Sequence, residues 1–368
     1  MTHTITTLAS SWPKLSTSAI PTEEEVSSLQ LAVNEEFSRA NPGSDRAYIS
    51  SSLLQGRKVM VVPQPKEKVR IIVLLTHTKA GDRLIIERKS KKGKFGIDLD
   101  DGSPVMVFSS RGAENVSRAI KETSNYSLLP NHPALLPLLG AASDSVKGTP
   151  AYKLVVPFKN GGDFLNRKRP IPIDQWPRLF LEVADGLSCM HDKGIAHCDI
   201  KPENLVTGDD KEGELHACVV DFAGVNFQPH LGRGSFTFSP AYAPPEYSLS
   251  SGLNSSDYRK WDVWSLGVSF VATLLRDRFP FHWQKSLQEI SKRREQSFVD
   301  QEIDRVLARF PSFYQEKSIQ PHLRNFLRAT LTVDPTYRPS MREAMSLLKD
   351  LADAVGELDP EQRVDLEK

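Results

Sequence analysis

The amino-acid sequence predicts an α+β fold in two lobes, a small antiparallel β-sheet lobe followed by a larger helical one. Three observations carry that prediction. From about Lys58 to Phe158, β-branched runs ("KVMVV", "VRIIVLL", "RLIIER", "PVMVF", "LLPLLGAA" and "YKLVVPF") recur between Gly, Pro and Asp turns, the pattern of strands joined by hairpins. Beyond Phe158 the apolar spacing becomes helical in "WPRLFLEVADGLSCMHDKG", "DVWSLGVSFVATLL", "LRNFLRATL" and "MREAMSLLKDLADAV". The order, strands first and helices second, segregates the two kinds of element into two packed bodies with a cleft expected between them.

Each segment has its own signature. Residues 1–20 are rich in Ser and Thr with few large apolar groups, which predicts a flexible tail. Residues 21–57 read as a helical extension: Thr22 with Glu25 forms a capping-box pattern, Val26, Leu29, Val33 and Phe37 make an apolar stripe, and Asn41-Pro42-Gly43 stops the helix. Residues 58–158 form the β-rich lobe, with one helix expected from Ala113 to Ser124. Residues 159–352 form the helical lobe and 353–368 a C-terminal tail. A chain of 368 residues is long enough for two such cores. Its charge is balanced, 47 basic against 46 acidic side chains, so nothing drives it toward nucleic acid or an anionic membrane. No apolar run approaches the length of a membrane span. Cys189, Cys198 and Cys218 have no metal-like spacing; they are expected to be reduced thiols in a cytoplasmic protein.

The chemistry concentrates in "IAHCDIKPENLV", which sets a His, an Asp, a Lys and an Asn in one turn-forming stretch. Taken singly, an Asp at a turn is a cap and an Asn beside Pro-Glu a loop residue. Taken in order with its neighbours, "HCDIKPENL" resembles the catalytic loop of eukaryotic-type protein kinases. "VVDFAG" is similar to that family's Asp-Phe-Gly element, "SPAYAPPEY" to its Ala-Pro-Glu element, and "WDVWSLGV" and "DPTYRPS" to its later helix and terminal Arg. The resemblance runs over roughly residues 66–352 and implies a two-lobed protein-kinase-like fold using ATP and Mg²⁺. Phosphoryl transfer relies on positioning and charge neutralisation. By the resemblance, Asp199 would be the catalytic base, Lys201 would neutralise the transferring γ-phosphate, and Asn204 and Asp221 would hold the metal, hard oxygen donors suiting Mg²⁺. "DIKPEN" implies a protein substrate with a Ser or Thr acceptor, and a regulatory partner fits the same family. Glu246 and Arg338 are expected to form a buried ion pair, Asp262 to bond the catalytic-loop backbone, and His197 and Phe222 to pack beneath the site.

The departures from that pattern are specific. Cys198 stands where the family has an Arg that pairs with a phosphate on the activation segment, and a thiol offers no fixed charge. Phosphorylation of that segment is therefore expected not to be the switch, and Cys198 reads as a small neutral filler in preference to a redox centre. Ala223 replaces the Gly after Asp-Phe, a position where Gly would accept positive φ. Counting back from "LVVPFKNGGDFL", "PVMVF" is the family's third strand, and the position of its phosphate-binding Lys falls on Phe108. Glu122 fits the helical Glu that pairs with that Lys. "KKGKFG" keeps Gly93 and Gly96 of a phosphate loop, with Lys91, Lys92 and Lys94 as relocated cations; Gly93, Gly96, Lys94 and Glu122 are the expected nucleotide-binding residues. A second threading makes "VRIIVLL" and "RLIIERK" the first two strands and leaves "KKGKFG" in a later loop, and a plain hairpin turn fits that stretch as well. Two functions follow: an active serine/threonine protein kinase, or a pseudokinase acting as a nucleotide-binding scaffold. The uncharged Ser/Thr-rich leader also resembles those of effector kinases delivered into host cells, and fungal kinases share the eroded first lobe.

Overall fold

The computed structural model describes residues 53–54, 57–63, 69–74, 87–88, 91–98, 104–146, 149–167, 169–210, 212–227, 238–248, 257–285 and 295–358. The expected tail and the helix beginning at Pro21 lie outside these residues. The chain divides into two compact units, one formed by residues 1–126 and 137–158 and the other by 127–136 and 159–368.

The first unit is an antiparallel sheet. Its strands are β1 (Leu53–Leu54), β2 (Arg57–Pro63), β3 (Val69–Leu74), β4 (Glu87–Arg88), β5 (Lys91–Asp98), β6 (Pro104–Arg111), β7 (Gly140–Val146) and β8 (Thr149–Pro157). Their order is β1-β2-β3-β5-β6-β8-β7, with β4 paired to β5. Leu53–Leu54 and Arg57, expected in a helical extension, thus begin the sheet instead. Helix α1 (Ala113–Tyr126) packs on β6 and β8. Its buried positions Ala119, Glu122 and Asn125 follow the i, i+3 spacing of one helix face. Val105, Val107 and Val155, with Leu139, form an apolar cluster. The run "LLPLLGAA" becomes a strand only from Gly140. Pro137 cannot donate to a ladder, and the preceding residues are drawn into the second unit: Leu136 N–H donates to the Val219 carbonyl and Val219 N–H to that of Ala134.

The second unit is mainly helical, as α2 (Trp176–Asp192), α3 (Arg259–Leu274), α4 (Gln296–Leu307), α5 (Gln320–Thr330) and α6 (Met341–Gly356). It also carries short strands: β9 (Gly162–Asp163), β11 (Leu205–Asp209) and β12 (Leu215–Val219) form one sheet, and β10 (Ile195–Ala196) pairs with β13 (Asn226–Phe227). These are too short to show a period of two in sequence. In α2 the buried residues Trp176, Leu179, Phe180, Val183, Ala184, Leu187 and Met190 recur at helical spacing and define one stripe. Every residue of α3 from Trp261 to Leu274 is buried, the mark of a helix at the centre of a core. Gly267 costs that helix about 1 kcal/mol of intrinsic propensity, yet a Cβ there would sit 2.4 Å from Thr330 Oγ1 of α5; the glycine lets the two helices approach. Helix α6 starts on a capping box in which Ser340 and Glu343 bond each other's backbone N–H.

Arg338 locks the far end of this unit. Its guanidinium makes a bidentate pair with Glu246 at 2.7 and 3.0 Å and donates to the carbonyls of Thr332, Lys260 and Val333. All five of its N–H donors are therefore used, and its Cζ lies 5.1 Å from the Trp264 ring. A lysine cannot reproduce that fork, and stranding the buried Glu246 costs about 3–5 kcal/mol. Urea unfolding followed by tryptophan fluorescence is expected to show Arg338→Lys destabilised by about 3 kcal/mol; an unchanged midpoint would show that the pair contributes nothing.

Candidate active site

The site grows from a carboxylate at the start of α3. Asp262 is fully buried and its oxygens accept the N–H groups of His197 and Cys198, both at 2.8 Å, with His191 Nε2 at 2.8 Å as a third partner. These bonds hold Cys198 at φ 64°, the left-handed region, which costs a non-glycine residue of order 1–2 kcal/mol. His197 is also fully buried. Its Nδ1 accepts the Asp199 N–H at 3.3 Å, so the ring proton resides on Nε2 and is donated to the Val220 carbonyl at 3.2 Å. The His197 ring lies 5.5 Å from that of Phe222. One buried layer thus ties the turn carrying Asp199 to the turn carrying Asp221.

Above that layer the polar groups converge. Lys201 Nζ donates to Asp199 Oδ2 at 2.6 Å and to Ser239 Oγ at 2.7 Å. Asn204 Nδ2 donates to the Asp199 carbonyl at 2.8 Å and to its Oδ2 at 3.0 Å. With its nitrogen so committed, Asn204 has its amide oxygen left as the atom able to ligate a cation. The other oxygen of Asp199, Oδ1, is buried and accepts no hydrogen bond among the described residues. A buried carboxylate oxygen left open costs about 1–3 kcal/mol, so its survival calls for a reason beyond stability. Asp221 lies two residues past the end of β12; the intervening Val220 N–H donates to the Asn204 carbonyl at 2.9 Å, which places the two expected metal ligands on adjoining turns. Asp221 itself is the left-handed residue here, at φ 71°. Ala223 has no positive φ, so the substitution of Gly at that position carries no backbone strain.

Asp199, Lys201, Asn204 and Asp221 all belong to the second unit, whereas Gly93, Lys94, Gly96 and Glu122 belong to the first. "KKGKFG" is neither a loop nor a turn. It lies in β5, with Gly93 opposite Phe108, Lys94 opposite Val107, and Gly96 between Leu74 and Val105. The expected phosphate loop is therefore strand: β6 pairs along Lys92–Ile97, while on the other edge β4 meets Lys91 and Lys92 and β3 meets Gly96 to Asp98. The second threading, which left "KKGKFG" in a later loop, differs from the structure at that stretch, where β3 pairs with β5; residues 83–86 of "RLIIERK" lie outside the described residues. Glu122 is buried on α1. The first unit also buries a lysine that the sequence reading missed, Lys153 on β8, 5% exposed. It stands opposite Ser109, while Phe108 stands opposite Leu154. Strand alternation puts Lys153 and Phe108 on opposite faces of the sheet, so Lys153 does not fill the place of the absent ammonium.

The position of Cys198 is apolar. With Ala196, Tyr258 and Trp261 it forms a buried cluster, and Phe238 sets its ring edge-on to Trp261 with centroids 6.1 Å apart. Burial pushes the Cys198 thiol well above the usual pKa, and the Asp262 and Asp199 carboxylates push it the same way.

A family model described as "Protein kinase domain" matches residues 106–348. The match covers more than half of the chain, and the chain belongs to that family. Among its relatives is Serine/threonine-protein kinase chk1 of Schizosaccharomyces pombe, 28% identical over 52% of this chain and 36% of that protein. Hormonally up-regulated neu tumor-associated kinase of Homo sapiens is 27% identical over 77% of this chain and 38% of that protein. CBL-interacting protein kinase 17 of Oryza sativa is 30% identical over 50% of this chain and 38% of that protein. The chain spans less than two fifths of the length of each of these relatives.

The three thiols differ in access: Cys189 is half-buried, while Cys198 and Cys218 are buried. Burial raises the Cys218 pKa as well, and the thiolate is the species that reacts. Native alkylation with iodoacetamide, read by peptide mass spectrometry, is expected to modify Cys189 first, with Cys198 and Cys218 at least ~10-fold slower until urea is added. Rapid native labelling of Cys198 would overturn the neutral-filler reading.

Proposed function

We propose that the chain is an ATP-dependent serine/threonine protein kinase. The observation that carries this reading is the open Oδ1 of Asp199. Asp199 is held on its other oxygen by Lys201 and Asn204, so it is fixed in orientation and keeps one acceptor for the proton of an incoming hydroxyl. In the proposed step that proton passes to Oδ1, the hydroxyl oxygen bonds to the γ-phosphorus, and the bond from the γ-phosphorus to the bridging oxygen breaks to leave ADP. Lys201 offsets negative charge beside the transferring group. Asn204 and Asp221 present the hard oxygens that suit Mg²⁺. A bound Mg²⁺ supplies neutralisation of phosphate charge. The serine/threonine assignment rests on Lys201 with its Ser239 partner and on the serine/threonine-protein kinases among the relatives.

A second reading, a nucleotide-binding pseudokinase, is favoured by one observation: Phe108 occupies the third-strand position where the family has a lysine, and the buried Lys153 faces away from it. Electrostatic positioning supplies most of the catalysis in phosphoryl transfer, so an unreplaced lysine would lower the rate by orders of magnitude. Transfer from labelled ATP to a generic protein or to the chain itself, compared with Asp199→Asn, separates the readings. The kinase reading expects transfer that falls by at least ~100-fold in the variant and stops when EDTA removes the metal. A melting temperature raised by Mg-ATP without transfer by either protein would establish the scaffold.

We further infer that the segment after residues 228–237 is held without a phosphate. Phe238 rests on Trp261 and Ser239 accepts a hydrogen bond from the Lys201 ammonium, so an apolar contact and an unmodified hydroxyl hold the segment. Phosphatase treatment of the purified protein is expected to leave the transfer rate within about twofold, since no charge-assisted bond is lost. A fall of tenfold or more would show that a phosphate does hold the segment.

A further inference from the structure

The hairpin of β11 and β12 has Asn204 and Asp221 at one end, where Leu205 stands opposite Val219, and closes at the other, where Asp209 stands opposite Leu215. The closed end gathers donor side chains of its own. Asp210, Glu214 and His216 each bring one ligand-type atom, and the three atoms lie within 4.8 Å of one another. The turn fixes Asp210: its N–H donates to the Glu214 carbonyl at 2.9 Å, and its Oδ1 accepts the N–H groups of Glu212 at 3.0 Å and Glu214 at 2.8 Å. Its Oδ2 is thereby turned to His216 Nε2, 3.2 Å away.

The other ring nitrogen is held from a separate element. His216 Nδ1 lies 3.2 Å from Oε1 of Glu182 on α2. Glu182 is itself fixed: its Oε2 accepts the Ala217 N–H at 2.7 Å, and its Oε1 accepts from Arg178, which also donates to the Leu215 carbonyl at 2.7 Å. Both ring nitrogens therefore face a carboxylate oxygen, but a neutral imidazole has a single N–H. Whichever carboxylate receives it, the other sets an oxygen lone pair against a nitrogen lone pair at 3.2 Å. A positive charge between Nε2 and Asp210 removes that conflict. Among the described residues no lysine or arginine pairs with Asp210 or Glu214 to supply it.

A second proton on the ring would satisfy Asp210 alone. A metal ion also uses Glu214. The ring then donates its Nδ1–H to Glu182 and gives the Nε2 lone pair to the ion, the arrangement in which an outer carboxylate sets the tautomer of a ligating histidine. One imidazole with two carboxylates suits Zn²⁺, unlike the all-oxygen set that Mg²⁺ takes. Asp210 and Glu214 are exposed at the hairpin end, and the His216 side chain is 41% exposed, so an ion reaches them from solvent.

We propose that Asp210, Glu214 and His216 form a Zn²⁺ site at the closed end of the hairpin, with Glu182 as a positioning residue that sets the ring. The bound ion ties the hairpin to α2 through His216 and Glu182.

The test titrates Zn²⁺ calorimetrically into the full chain in buffer holding excess Mg²⁺, with no nucleotide, and repeats the titration with Co²⁺ read by its visible absorption. Wild type is expected to bind one equivalent of Zn²⁺, and its melting temperature to rise with Zn²⁺ concentration. His216→Ala is expected to lose the Co²⁺ band and to weaken Zn²⁺ binding by at least ~100-fold. Glu214→Gln removes an exposed side chain with no partner among the described residues, so it leaves the fold intact, and at least ~10-fold of affinity is expected to go with it. Glu182→Gln is expected to keep the one-to-one stoichiometry and bind about 10–100-fold more weakly. No binding in the presence of Mg²⁺, or affinity unchanged in either His216→Ala or Glu214→Gln, would overturn the site; affinity unchanged in Glu182→Gln would overturn the positioning role.

Discussion

The carboxylate of Asp262 organises the larger unit. It is a charge taken wholly out of water, and it is tolerated because two backbone N–H groups and an imidazole nitrogen converge on it. Groups bonded in that way define the path of the chain: His197 and Cys198 have no freedom to relax, Cys198 is forced into a left-handed conformation, and Asp199 emerges at a fixed angle. Everything chemical about the site is downstream of this anchor. His197 carries the constraint to Val220, and hence to Asp221, through a single tautomer. Asn204 carries it back to Asp199 from the other side.

A second theme is substitution of apolar contact for charge. The position that the family fills with an arginine is here a thiol in an aromatic pocket, and the pocket reaches the segment that begins at Phe238. Such a contact is non-directional and draws on burial, whereas an arginine–phosphate contact would require a modification to complete it. The opposite choice is made at Glu246, where a full guanidinium fork is buried with every donor satisfied. The difference follows from partners: Arg338 has three carbonyls and a carboxylate within reach, while position 198 has two carboxylates nearby but is lined by Ala196, Tyr258 and Trp261.

Much of the fold was legible because its long elements are strongly periodic. Helices α2, α3, α5 and α6 and strands β2, β3, β6 and β8 were readable from spacing alone, and α1 was placed to within two residues. The errors fell where local pattern and tertiary demand part. "KKGKFG" has the composition of a turn, yet strands pair on both sides of it and make it a strand. "LLPLLG" looks like a strand, but Leu136 spends its N–H on Val219 and Pro137 has none to give. Strands of two to five residues in the larger unit are too short to announce themselves. Among candidate site residues, Asp199, Lys201, Asn204 and Asp221 were singled out by motif order. Glu182 and His216 were not, since nothing in a sequence links a glutamate to a histidine 34 positions away.

By itself the sequence determined which chemistry is available. The residue types at 199, 201, 204 and 221 and the order of the motifs are properties of the chain, as are the thiol at 198 and the phenyl ring at 108. Only the tertiary structure decided how those groups are poised. It left one oxygen of Asp199 open and closed the other, gave Glu182 to His216, and set Lys153 on the face of its sheet away from Phe108. Side-chain identity is covalent and local, whereas the hydrogen-bond partners that orient a carboxylate, and the register that chooses a face, are set by segments far apart in the chain.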